Sequence, residues 1–177
     1  LRYTNPYYQL ALGEILTSPV LPPNEPKRME ALRSLNILDT SAEERFDRIT
    51  RLAAQLFSCE FATVSLIDST RQWFKSRVNL DVEETSRDIA FCAHAILETE
   101  PLIVQDTHKD ERFSANPLVV EDPHIRFYAG IKLMVDGQAV GTICVFDTTP
   151  KVFSAQQRKS LKDLGGLVEL ELKRTDL

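Results

Sequence analysis

Cys92 and His94 stand two residues apart in an otherwise apolar run, SRDIAFCAHAILETE, over 86–100. A thiol beside an imidazole suggests a metal pair, or a nucleophile with its base. The spacing argues against both. The run reads as a helix from Ile89 to about Glu98, and helical residues two apart point about 200° from each other. At most one of them faces the interior. The ordinary reading is a buried small thiol and an imidazole on or under the helix surface. A reactive thiol stays open, because Cys92 lies near the start of its helix, where the dipole lowers a thiol pKa.

Other groups compete weakly. His108 and His124 share a long loop with Asp106, Asp110, Glu111, Glu121 and Asp122. Their spacings match no metal-ligand motif, so the loop reads as a solvated acidic segment with no metal site. Arg112-Phe113, with Asn116, offers an anchored aromatic beside a charge, either as pocket wall or as a loop-to-core anchor. Trp73, Phe127 and Tyr128 fall on strands, where aromatic residues are usually core. Alternation sends Phe127 and Tyr128 to opposite faces. No glycine-rich phosphate loop, G-x-S-x-G elbow or H-E-x-x-H is present. The only candidates for enzyme chemistry are isolated thiols.

The elements that must position these residues follow from periodicity and punctuation. After a mixed segment with Tyr3, Tyr7, Tyr8 and an apolar set Leu10, Leu12, Ile15 and Leu16, the prolines Pro22-Pro23 stiffen a linker. Residues 1–20 are expected to be an extension and 21–177 the domain. Asn24 reads as an N-cap, with Met29, Leu32 and Leu35 at helical spacing. Ser41 and Glu44 read as a capping box. They open a helix whose face is Phe46, Ile49, Ala53 and Leu56. Alternation marks a strand over 61–67, with Ala62, Val64 and Leu66 on one face and Thr63 and Ser65 on the other. A second strand covers 72–78 and a short one 101–105. The loop 106–123 is long enough to be functional or mobile. Strands at 125–135 and 138–147 flank Asp136-Gly137, a strong hairpin signal. On the second, Val140, Thr142, Cys144 and Phe146 share a face. Ser154 and Gln157 box the start of a last helix carrying Leu161, Leu164, Val168 and Leu172, with Leu167 and Leu170 widening the stripe. Gly165-Gly166 inside it suggests another helix approaching closely, or a kink.

The fold class is therefore α+β: one antiparallel sheet of five or six strands, with N- and C-terminal helices on one face and the middle helix and loops forming a pocket on the other. The 177 residues suit one domain, and 43% hydrophobic with 27% charged residues is ordinary for a globular protein. A net charge of −5, with scattered basic residues, argues against nucleic acid or a membrane surface as partner. Three well-separated cysteines without C-x-x-C suggest a reduced, cytoplasmic compartment. No apolar run reaches the ~18 residues of a transmembrane helix. The chain opens on Leu1, which suggests a piece of something longer.

The phrases LPPNEPKRMEALRSLNILDT, ERFDRITRLAAQLF, STRQWFKSR, DIAFCAHAI, ERFSANPLV, IRFYAG and GTICVFD follow in colinear order. Together they resemble the GAF family, of the bacterial sensor type, over about the last seven-eighths of the chain. The resemblance implies a small-molecule pocket under the middle helix and long loop. Its walls would include Trp73, Phe91, Cys92, His94, Asp106, Arg112, Phe127 and Tyr128. It also implies homodimers through the terminal helices and a separate signalling output domain, such as a histidine kinase or diguanylate cyclase. Cyclic-nucleotide binders of the family carry an Asn-Lys…Phe…Asp-Glu signature that has no match here. Bilin binders attach chromophore at a cysteine followed directly by histidine, whereas Ala93 intervenes here. The cysteines do not resemble the set of the methionine-sulfoxide-reducing members. The expectation is a non-enzymatic sensory module with an unidentified ligand and cofactor. The alternatives are a thiol redox sensor or small reductase using Cys92, and a ligand-free dimerisation spacer.

Overall fold

The computed structural model describes residues 18–174. The apolar set from Leu10 to Leu16, and nearly all of the extension assigned to residues 1–20, lie outside the described residues. Six strands form one antiparallel sheet: β1 (Phe61–Ile67), β2 (Arg71–Val78), β3 (Glu84–Ser86), β4 (Leu102–Val104), β5 (Phe127–Val135) and β6 (Gln138–Asp147). Their order across the sheet is β3-β2-β1-β6-β5-β4. Asp136 and Gly137 both have positive φ, 51° and 75°, as the tight turn between β5 and β6 requires.

Helices α1 (Glu25–Ser34), α2 (Glu44–Leu56) and α5 (Ala155–Lys173) cover one face. Leu32, Phe46, Leu161 and Val168 from these helices meet Ala62, Val64, Leu66, Ile143 and Val145 from the sheet in one core. Each large side chain taken fully from water there contributes about 2 kcal/mol, so packing holds this layer in place. The other face carries α3 (Phe91–Ala95), α4 (Pro117–Val120) and their connections, with a second core around Phe91, Phe113, Leu118, Tyr128 and Phe146. β1 is buried along its whole length because both faces are covered.

Several local expectations change for identifiable reasons. The helix expected over 89–98 is shorter. Ser86 caps a 3₁₀ turn, Arg87–Ile89, and Ala90 is extended at ψ 123° before α3 begins. Ser41 does not cap α2, which starts at Glu44 after an uncapped Glu43. The Ser41 carbonyl is taken instead by the buried Lys75 ammonium at 2.7 Å. Lys75 also bonds Thr40 Oγ1 at 2.8 Å and Glu43 at 2.7 Å, which uses all three of its donors. Leu56 is exposed, and Phe57 closes the buried face of α2 one residue later. Leu167 and Leu170 are exposed and do not widen the buried stripe of α5. Gly165 packs on Ile131 of the sheet rather than on another helix, and α5 runs through both glycines without a break. The Ser154–Gln157 capping box is formed.

Bulges set which residues face which layer. The β5–β6 register skips Val140, between the pairs Leu133–Gly141 and Met134–Ala139. Val140 therefore joins the helical-side core, while Thr142, Cys144 and Phe146 keep the opposite face. A second shift, opposite Val64 and Ser65, leaves Lys75 as the extra residue of β2.

A buried ion cluster joins the two layers. Glu25, in the first turn of α1, receives Arg28 at 2.8 and 2.9 Å and Arg87 at 2.6 and 3.2 Å. Arg87 opens the segment leading into α3 and also donates to the Asp68 carbonyl at 3.0 Å. Both guanidiniums are buried. Burial pushes the Glu25 carboxyl up, and the two guanidiniums more than reverse that, holding it at about 2.

Glu25→Gln strands two buried cations and should lower stability by ~3 kcal/mol, the usual cost of removing one partner of a buried pair. The carboxyl is depressed below its ordinary 4.5. Its contribution is therefore complete above about pH 5 and is lost as pH falls toward the native value. In urea unfolding, the deficit of Glu25→Gln should be larger at neutral pH than in acid; equal deficits would contradict this assignment. Gly141→Ala should cost ~3 kcal/mol by the same measurement, because its Cβ would collide with the Ser65 carbonyl on β1.

Candidate functional site

A cavity of about 40 Å³ lies on the face away from the helical layer. β1, β2, β5 and β6 form its floor. Phe91 and Cys92 of α3, Leu118 of α4, Leu80, Val82, Pro123 and Ile125 close it. The strand alternation chooses the floor: Thr63 pairs with Cys144, and Tyr128 with Phe146, so all four face the cavity. No lining side chain is an acid, a base or a histidine.

Beside the cavity the sheet carries a buried polar row. Thr63 Oγ1 lies 2.7 Å from Ser65 Oγ and 3.0 Å from Cys144 Sγ. Thr142 Oγ1 donates to Cys92 Sγ at 2.9 Å, and the Tyr128 hydroxyl lies 3.2 Å from the same sulfur. The Sγ atoms of Cys92 and Cys144 are 3.8 Å apart. Burial pushes both thiols up. Hydrogen bonds from Cys144, Thr142, Tyr128 and Ser65 outweigh that at Cys92 and bring it below the usual thiol range. Cys144 is left well above it. Gly130 makes the arrangement fit, since a Cβ there would collide with the Tyr128 ring and hydroxyl.

Gln72 is 5% exposed and lines the cavity from β2. Its amide nitrogen donates to Thr85 Oγ1 at 3.0 Å. Its Oε1 is buried without a partner among the described residues. A buried unsatisfied acceptor costs about 1–3 kcal/mol, so this atom is held at the expense of stability.

Of the eight residues expected at the pocket wall, the structure brings Phe91, Cys92 and Tyr128 to the cavity. The other five lie elsewhere. Trp73 pairs with Leu66 and shares its helical-side core. Phe127 packs on Phe153, ring centroids 5.7 Å apart, on that same side. The wall role of both came from the family resemblance; alternation alone names opposite faces for Phe127 and Tyr128 without saying which is which. His94 leaves α3 away from the cavity and meets the Phe113 ring edge-on at 4.9 Å. Asp106 caps the next 3₁₀ turn and pairs with Arg126 at 3.0 Å. Arg112 lies over Phe113 and pairs with Asp110 and Glu98. Phe113 itself is fully buried and stacks on Phe91 at 4.2 Å. Asn116 caps α4 and donates to the Ile89 carbonyl at 3.0 Å. The Arg112–Asn116 group is thus an anchor that holds the long loop to the α3 segment.

Gln72, Thr63, Thr142 and Cys144 were missed as site residues. For Thr63, Thr142 and Cys144 the signal was present, as hydroxyl and thiol side chains on one face of β1 and β6 inside strands otherwise built for a core; Gln72 on β2 carried no such signal. Gln72→Met keeps the shape and removes the orphaned acceptor. It should raise the thermal unfolding free energy by about 1 kcal/mol. A loss of stability would mean that the bond from Gln72 to Thr85, which the substitution also removes, outweighs the cost of the orphaned acceptor.

The GAF domain family model matches residues 41–172. Among characterised proteins, a cyclic di-GMP phosphodiesterase of Pseudomonas aeruginosa is 37% identical over 137 residues, 77% of this chain. The match takes up 23% of that protein's length. Among solved structures, the GAF domain of an Acinetobacter phosphoenolpyruvate-protein phosphotransferase superposes with a TM-score of 0.61 at 16% identity, covering 82% of this chain and 92% of that one. The free methionine-R-sulfoxide reductase of Neisseria meningitidis gives 0.60 at 13% identity, covering 87% and 93%. At such identities the structural likeness speaks for the fold alone. The six-stranded sheet with its two helical layers and the family match over most of the chain agree: this protein belongs to the GAF domain family.

Proposed function

We propose that this chain is the sensory module of a bacterial signalling protein, and that it reads a small uncharged molecule in the cavity between the sheet and α3. The observation that carries this reading is the cavity lining, which is apolar with hydroxyl, amide and thiol groups and holds no charged side chain. Small-molecule sites are built in this way, mostly apolar with a few placed polar groups. An unpaired phosphate or carboxylate would lose its hydration there without a counter-charge. Nucleotides, and amino acids carrying both charges, are therefore poor ligands for this site. That weighs against methionine sulfoxide reduction as the activity of this chain.

The route to an output is the Glu25 cluster. A ligand that moves α3 shifts the 3₁₀ turn carrying Arg87, and Arg87 holds Glu25 at the start of α1. Any such shift needs a ligand with different affinity for two states of the module. The relative with cyclic di-GMP phosphodiesterase activity supports an output of that signalling class, a histidine kinase being the other candidate, in a domain beyond this chain. The exposed Leu52 and Leu56 of α2, with Leu167 and Leu170 of α5, supply an apolar surface through which such modules would pair. Among the described residues no helix is long and apolar enough to cross a membrane, in keeping with a cytoplasmic module.

Native and denaturing mass spectrometry of the purified protein test this. The expected result is retention of a neutral small molecule that is lost on denaturation, and no retention of added cyclic di-GMP. Stoichiometric retention of cyclic di-GMP would overturn the uncharged-ligand reading.

A further inference from the structure

We propose that Cys92 and Cys144 are a redox-active dithiol, closed to a disulfide by a small neutral hydroperoxide that enters the cavity and is held by Gln72. The sulfurs are already in contact at 3.8 Å, on elements from opposite walls of the same space. Closing the bond to about 2.05 Å takes a movement under 2 Å, shared between α3 and β6. The donors around Cys92 are arranged as a thiolate needs them, with Thr142 and Tyr128 both within bonding distance.

The second, independent observation is Gln72. Its Oε1 is buried, unpartnered among the described residues, and set in the cavity wall. It calls for a ligand with an O–H or N–H. The cavity of about 40 Å³ has room for a molecule of two or three heavy atoms. The absence of charged lining residues calls for a neutral one. Hydrogen peroxide meets all three requirements: it is small, it is uncharged, and it carries two O–H donors.

The chemistry balances in two steps. The Cys92 sulfur attacks one peroxide oxygen and the O–O bond breaks. Cys92 becomes a sulfenic acid, and the other oxygen leaves as water with the thiol proton. The Cys144 sulfur then attacks the Cys92 sulfur, forming S–S and breaking S–O. The hydroxyl leaves with the Cys144 proton as a second water. The two thiols lose two electrons in all, and the peroxide gains them. Cys59 is an internal control. It lies in the helical-side core, and burial pushes its thiol up to about 12.

This inference deepens the sensory reading and rests on it only for the consequence of oxidation, not for the chemistry. The test is peroxide titration of the reduced chain, with intact mass and non-reducing peptide mapping. The expected result is a loss of two hydrogens per chain and a Cys92–Cys144 cross-link reversed by dithiothreitol. Cys59→Ser should behave as wild type. Cys144→Ser should stop at a Cys92 sulfenic acid trapped by dimedone, and Gln72→Met should slow the reaction about fivefold to tenfold, the worth of one hydrogen bond. Three free thiols after peroxide treatment of the wild type, or equal oxidation of Cys59, would overturn the proposal whatever the variants do. A cross-link that forms while hydrogen exchange in α1 stays unchanged would uphold the dithiol and overturn the sensory reading.

Discussion

The Glu25 carboxylate is the point on which the two layers of this domain depend. Elsewhere the sheet separates their cores, and a further ion pair between them, Lys162 of α5 with Glu100 after α3, is exposed: α1, α2 and α5 pack on one face, and α3 and α4 on the other. Glu25 reaches from the first turn of α1 to Arg87, which leads into α3, while Arg28 completes the cluster. Two cations buried beside one carboxylate are costly to separate, because each would be left without its counter-charge in a medium of low dielectric. The cluster therefore acts as a clamp rather than as ordinary surface charge. It also explains a local departure from helix propensity. The segment 87–90 is held by Glu25, by the Asp68 carbonyl and by the Thr70 carbonyl, and it breaks into a 3₁₀ turn and an extended residue instead of continuing the helix toward its N-terminus.

The architecture was legible because its signals are local. Alternation on β1, the Asp136-Gly137 turn, the Ser154–Gln157 box and the apolar spacing of α5 each fix an element from neighbouring residues. The separation of Cys92 from His94 was legible for the same reason, since helical geometry alone sends them apart. The site was only partly legible. Phe127 and Tyr128 had to face opposite ways, but which of them met the cavity depends on which distant elements cover each face of the sheet, which no short pattern announces. Ser41 had the spacing of a cap, and lost that role to a lysine 34 residues away in sequence. Asp106 entered the expected wall through the family resemblance, and Arg112 as a charge beside an anchored aromatic, yet each is paired within the loop or with its neighbours.

What emerges at the centre of the sheet is a polar interior without charge. Thr63, Ser65, Thr142 and the two thiols satisfy one another across β1, β6 and α3, while Tyr128 crosses the space above Gly130. Networks of this kind are stable when complete and conspicuous where one atom is left out. Here that atom is Gln72 Oε1. The same low dielectric that makes it costly makes it selective: an uncharged donor gains a bond there, and a charged group loses more than it gains.

The central claim is that the α3 side of the sheet and α1 form one mechanical unit through Arg87 and Glu25. Hydrogen exchange of wild type and Arg87→Gln, followed by mass spectrometry, tests it most directly. The account predicts that removing Arg87 speeds exchange in α1 (Glu25–Ser34) as well as in α3 (Phe91–Ala95), while α2 and α5 keep their protection. Faster exchange confined to α3, with α1 unchanged, would contradict it.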